Sequence, residues 1–75
     1  MADEMTIVDQ IEHQFTYHAP TERQVGDMKE IRDTAKELAH LIAARCPASA
    51  DRTVAIRKIR EAVMIANASI VLGGK

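Results

Sequence analysis

Cys46-Pro47-Ala48-Ser49-Ala50 is the stretch that decides how this 75-residue chain folds. Pro47 disfavours helical geometry in Cys46, so a helix arriving from the N-terminal side must stop there. Ser49 is a good N-cap for a helix leaving on the other side. Two helices separated by so short a joint pack side by side in opposite directions. The flanking sequence supplies both helices. Upstream, Val25, Met28, Ile31, Ala35, Leu38 and Ile42 recur at spacings of three and four, an apolar seam on one helical face. Thr21-Glu22-Arg23-Gln24 fits a capping box at its start, which places the first hairpin helix at 21–46, a rod of roughly 36 Å at ~1.5 Å per residue. Downstream, Ile56, Ile59, Val63, Ala66 and Ile70 form the facing seam of a helix over 49–72. Gly73-Gly74 ends it. The predicted fold is all-α, a single domain.

Ahead of the hairpin, Ile7, Val8, Ile11 and Phe15 have helical spacing, so the first fourteen residues carry a short amphipathic helix over about 4–14. Phe15 reads as an apolar plug at the end of the helical core. The segment Phe15-Thr16-Tyr17-His18-Ala19-Pro20 then breaks the helix, because Pro20 holds its predecessor out of helical geometry. It contains the only phenylalanine and the only tyrosine of the chain. A flat ring on a short loop beside a helix start is a platform for another flat ring, which makes residues 15–20 the candidate ligand loop.

The third helix is apolar on more than one stripe. Besides its seam it carries Ala55, Ala62, Met64, Ile65, Ala68, Val71 and Leu72, and Ala62–Ala66 is apolar all round. One partner helix covers one stripe only, so the remaining sides call for other copies of the chain. The composition agrees: 47% of residues are hydrophobic, 3% are aromatic and there is no tryptophan. So small a chain buries a modest fraction of its surface when it folds alone. The sequence therefore predicts a homo-oligomer.

Charge and cysteine content narrow the function classes. Residues 1–12 hold four acids and no base, while residues 13–75 hold ten bases against seven acids, a net of +3. That is too weak for a protein that grips DNA or RNA polymers through their phosphates, but it suits a local pocket for a small anion. Cys46 stands alone, as in a reducing compartment. No apolar run reaches the ~20 residues of a membrane span, and the acidic N-terminal stretch lacks a signal peptide's basic flank. A cytoplasmic protein is expected, with no membrane partner.

Enzymatic constellations are missing from the pattern. Cys46 reads as a small buried hydrophobe rather than a nucleophile. His13, His18 and His40 do not have a metal-ligand spacing, and His40 reads as a helix-surface or interface residue. There is no phosphate-binding glycine loop. Neither catalytic residues nor a metal or cofactor is predicted. Lys29, Arg32 and Lys36 share one helix face, with Glu30, Asp33 and Glu37 interspersed, which alone is compatible with a solvated surface. Arg32, two to three turns into the helix that the Tyr17 loop feeds, can instead offer a bidentate fork to a phosphate. Stacking plus phosphate neutralisation is how proteins hold nucleotides. Thr34 is either filler bonded to the preceding turn or a donor to a ligand at a junction between copies. Asn67 reads as an interface hydrogen-bonding residue.

Taken together, Phe15-Thr16-Tyr17-His18 with Pro20, Ile31-Arg32-Asp33-Thr34-Ala35, Cys46-Pro47 with Ser49, and the run from Ile59 to Ala68 resemble one family. It is the phage anti-CBASS sponges, small helical-hairpin proteins that sequester cyclic oligonucleotides. The likeness runs from about residue 14 to residue 72 and leaves out the acidic N-terminal helix. It implies a homo-oligomer, a hexamer in the family, that binds cyclic dinucleotides such as 3',3'-cGAMP between protomers without cleaving them, in the cytoplasm of an infected bacterium. It further implies that Tyr17 stacks on a base, with His18 beside it in the ligand loop. Arg32 stands where the family tends to carry a lysine facing the phosphates, and Thr34 where it carries a threonine close to the ligand. Some members also hold cyclic trinucleotides at a second site. Two other readings compete: a helical oligomerisation module with no nucleotide ligand, and a phosphodiesterase, which would want a metal cluster or paired acid and base.

Overall fold

Each helix of the chain begins at a hydroxyl that caps it. The computed structural model describes residues 5–75, and its elements are α1 (Ile7–Gln14), α2 (Glu22–Arg45) and α3 (Ala50–Val71). At α2 the capping box is formed: the Gln24 amide donates to Thr21 Oγ1 at 3.1 Å and the Thr21 amide to Gln24 Oε1 at 2.9 Å. Ser49 Oγ accepts from the Arg52 amide at 3.2 Å and starts α3. A third cap was not anticipated from the sequence. Thr6 and Asp9 make a capping box of their own, with the Asp9 amide 3.0 Å from Thr6 Oγ1. It fixes the start of α1 at Ile7, so Met5 and Thr6 precede the helix expected from about residue 4. Met1–Glu4 lie outside the described residues.

The ends follow the same local logic. Cys46 is extended (φ −95°, ψ 140°) ahead of Pro47 and closes α2. Arg52 reaches back across the turn and donates to the carbonyls of Ala43 and Cys46 at 3.3 and 3.4 Å. α3 ends in a Schellman motif. Gly73 and Gly74 take φ of 66° and 79°, and their amides donate to the carbonyls of Ile70 and Ser69 at 3.2 and 3.0 Å. Left-handed backbone at two successive positions is what glycine permits at least cost.

The fold is all-α, with no strand among the described residues. α2 and α3 form the antiparallel hairpin and are the one pair of helices in close backbone contact there. The least exposed positions of α2 are Gln24, Met28, Ile31, Ala35, Ala39 and Ile42. Val25 and Leu38, expected in the seam, are instead 51% and 47% exposed. Helical period explains the exchange. The expected set advances on average ~3.4 residues per turn and drifts around a straight helix, whereas the observed set advances ~3.6 and stays in line. On α3 the half-buried residues include Ile56, Ile59, Val63, Ala66 and Ile70, as the spacing predicts.

One hairpin cannot hide its apolar residues. No described residue is fully buried. Met64 and Ile65 on the outer stripe of α3 are 61% and 70% exposed. The chain exposes 6127 Å², against about 4,600 Å² for a compact monomer of its mass. Its radius of gyration is 16.0 Å, where about 11 Å is usual for this length. Cys46, expected to be buried, is exposed at the turn. Among the described residues no helix is long and apolar enough to cross a membrane, and no acid, histidine and cysteine cluster could hold a metal ion.

Candidate functional site

The loop between α1 and α2 is pinned on both flanks to the same feature, the C-terminal end of α3. On the α1 side, His13 Nε2 donates to the Leu72 carbonyl at 3.0 Å. On the α2 side, Gln24 Nε2 donates to the Ile70 carbonyl at 3.0 Å. Both acceptors lie at the C-terminal end of α3, where the Ile70 carbonyl also accepts from the Gly73 amide and the Leu72 carbonyl from the Lys75 amide. Two side chains from distant segments add to these backbone bonds and, in doing so, hold residues 15–21 in one place. His18 adds a second strand to this network. Its Nε2 donates to the His13 carbonyl at 2.6 Å, and the two imidazoles meet edge to face with centroids 4.6 Å apart. Thr16 Oγ1 donates to the Glu12 carbonyl and closes the end of α1.

Tyr17 sits at the exposed tip of this bracketed loop, 84% accessible. Its ring is offered to the outside, while its neighbour His18 is half-buried and turned inward. His18 therefore has one ring nitrogen committed and only Nδ1 to offer a ligand. Phe15 is 85% exposed rather than a plug. It caps α1, which makes no close backbone contact with the hairpin, so there is no core beneath it to fill.

Arg32 and Thr34 do not meet within one chain. They are two residues apart on a helix, about 200° around its axis, and they line different grooves of the hairpin. Thr34 lines one with Glu30, Leu38 and Ala66. Arg32 lines the other with Lys36, Arg60 and Met64. Ala35, Ile59 and Val63 floor both. Arg32 also stands ten residues beyond the start of α2, about 15 Å along the rod.

The charges on this face are unequal. Lys29 is tied to Asp33, Nζ to Oδ2 at 2.6 Å. That hydrogen bond holds the Asp33 carboxyl below the usual carboxylate range, helped by the fields of Lys29, Arg32 and Lys36 and opposed by slight desolvation. Arg32, Lys36 and Arg60 form no ion pair among the described residues. They leave an apolar-floored groove with three uncommitted cations, which suits a flat anion. Asn67, on the hairpin face of α3, has a buried Oδ1 without a hydrogen-bond partner among the described residues.

A family model, that of the Acb2/Tad1 hairpin domain, matches residues 8–71. The chain belongs to the Acb2/Tad1 hairpin-domain family. This family is associated with anti-CBASS sponges of cyclic nucleotides, a binding rather than a catalytic role. The match begins at Val8, so α1 is part of the Acb2/Tad1 pattern, although the likeness read from the sequence started near residue 14. Comparisons with curated proteins and with solved structures gave no significant match.

Two residues of the site were not singled out from the sequence. In the sequence His13 presents only as a possible metal ligand and Gln24 only as a cap. Their acceptors lie 59 and 46 residues away, and no local pattern carries that information.

Proposed function

We propose that this Acb2/Tad1 hairpin acts as a sponge. It binds cyclic dinucleotides, 3',3'-cGAMP among them, and holds them intact, so that the free signal falls below the level that activates a CBASS effector. The observation that carries this reading is the single tyrosine, 84% exposed on a loop fastened at both flanks. An exposed ring held in place is a stacking surface whose ordering has already been met by the fold, which favours affinity. Arg32 would neutralise phosphate, Thr34 would donate a hydroxyl, and His18 would contribute Nδ1 at the base of the loop.

In this reading the site is shared between copies. Arg32 and Thr34 line opposite grooves, so one ligand would meet them from different protomers. Assembly, a hexamer by family likeness, is supported by surface area. The excess over a compact monomer is about 1,500 Å², roughly what two standard interfaces remove from one partner. Cyclic trinucleotides, cytoplasmic location and freedom from other macromolecular partners belong to the same proposal.

Calorimetric titration with a panel of cyclic di- and trinucleotides tests it, followed by recovery of the ligand after heat denaturation. Tight binding with intact ligand recovered is the expected result. Cleaved ligand would replace the sponge by a phosphodiesterase. No binding across the panel would leave a helical oligomerisation module.

A further inference from the structure

His13 does something that the proposed ligand contacts do not assign to it. α1 makes no close backbone contact with either long helix. Its apolar residues Ile7, Val8 and Ile11 are 67%, 62% and 47% exposed, so apolar burial does little to fix it on the hairpin. What ties its end to α3 is the bond from His13 Nε2 to the Leu72 carbonyl at 3.0 Å. The same residue's carbonyl receives His18 Nε2 at 2.6 Å, and His18 is the immediate neighbour of Tyr17. A chain of two hydrogen bonds therefore runs from the end of α3, through His13, to the residue beside the exposed ring.

We infer that His13 is a positioning residue, a latch that fixes the Tyr17 loop on the end of α3 and thereby sets affinity for the stacked base. It would not itself touch the ligand. The ligand half of this statement rests on the sponge reading, while the latch half concerns the loop alone. Releasing the latch lets the loop populate orientations that do not bind, and apparent affinity then falls in proportion to the competent fraction. The chemistry of the replacement decides the outcome. Glutamine can place an amide N–H about where His Nε2–H lies, whereas alanine cannot donate.

The chain has one tyrosine and no tryptophan, so its intrinsic fluorescence reports on Tyr17 alone. The experiment compares the full chain with His13→Ala, His13→Gln and Tyr17→Ala. It measures tyrosine anisotropy without ligand for the variants that keep Tyr17, and calorimetric affinity for 3',3'-cGAMP for all of them. Far-UV circular dichroism checks that the hairpin is retained. Expected are lower anisotropy and about three- to tenfold weaker binding for His13→Ala, with His13→Gln close to the parent in both. Unchanged anisotropy in His13→Ala overturns the latch, as does His13→Gln behaving like His13→Ala. Should Tyr17→Ala bind like the parent, the assigned ligand contact fails instead, and the anisotropy comparison still decides whether the latch exists.

Discussion

The two ends of the hairpin are closed by different means. At the turn, Ser49 caps α3 and Arg52 bonds the carbonyls of Ala43 and Cys46, all within nine residues of sequence. At the other end, His13 and Gln24 reach the last turn of α3 from positions 59 and 46 residues away. Between the ends runs the apolar seam, which fixes the rod but is indifferent to direction around it. Directional bonds between segments distant in sequence appear where a side chain must be aimed, at the Tyr17 loop. The contrast separates residues that make the scaffold from residues that orient what the scaffold carries.

The largest test strikes the scaffold. Val63 floors both grooves, and Val63→Asp removes an apolar contact and puts a carboxylate into the apolar seam, where several kcal/mol are expected to be lost. Thermal melting by circular dichroism together with light scattering should show unfolding or dissociation. A folded, fully helical variant of unchanged mass would mean that the seam matters less than its line of apolar residues indicates.

Next comes the carried ring. Tyr17→Ala removes a stacking surface worth ~1–3 kcal/mol per base, so cyclic dinucleotide affinity should drop about ten- to a hundredfold while light scattering stays unchanged. Arg32→Ala should fall by a similar amount and Arg32→Lys by less, since lysine keeps the charge and loses the fork. Parent-like titrations for both alanine variants would remove the assigned pocket.

Gln24→Ala probes the join between scaffold and loop. It deletes half of the capping box and the bond to the Ile70 carbonyl, together about 1–2 kcal/mol. The urea midpoint should move accordingly. A shift no larger than that of an exposed surface change would show that the C-terminal tie contributes nothing.

The smallest effect belongs to the Lys29–Asp33 pair. The Asp33 carboxyl titrates lower in the folded chain than in the unfolded one. Its contribution is therefore present above the unfolded value of ~3.9 and is lost as pH falls through the folded value. Both groups are more than half exposed, so solvent screens the pair. Lys29→Met should leave the melting temperature at pH 7 almost untouched and weaken the protein's response to acid only below about pH 4. A large loss at neutral pH would contradict that picture.

Much of this architecture is legible in the sequence because its causes are local. Thr21 with Gln24, Cys46 before Pro47, and Gly73-Gly74 announce helix ends through neighbours one to four residues away. The seam of α3 follows from spacing alone. The seam of α2 departs from the expected line at Val25 and Leu38, because apolarity alone favours leucine over Ala39 and valine over the stem of Gln24. Only the straightness of the helix reveals which line faces α3. The start of α1 was missed because Thr6–Asp9 is a capping box with a shorter acid than the usual glutamate. The loop's exposed tyrosine was readable from composition, while the two bonds that pin it were not. They join segments whose proximity exists only after the hairpin has formed.

That dependence sets an order of events during folding. Contacts closing short loops form early and those closing long ones late, since chain entropy opposes bringing distant segments together. The Arg52 end of the rod can nucleate by itself and zip toward the termini. The carbonyls of Ile70 and Leu72 come within reach of Gln24 and His13 only when that zipping is finished. Pulse-labelled hydrogen exchange should accordingly find the amides near Arg52 protected before those flanking Tyr17. The loop that offers the ring is the last part of the chain to become ordered, and thermal fraying should undo it first.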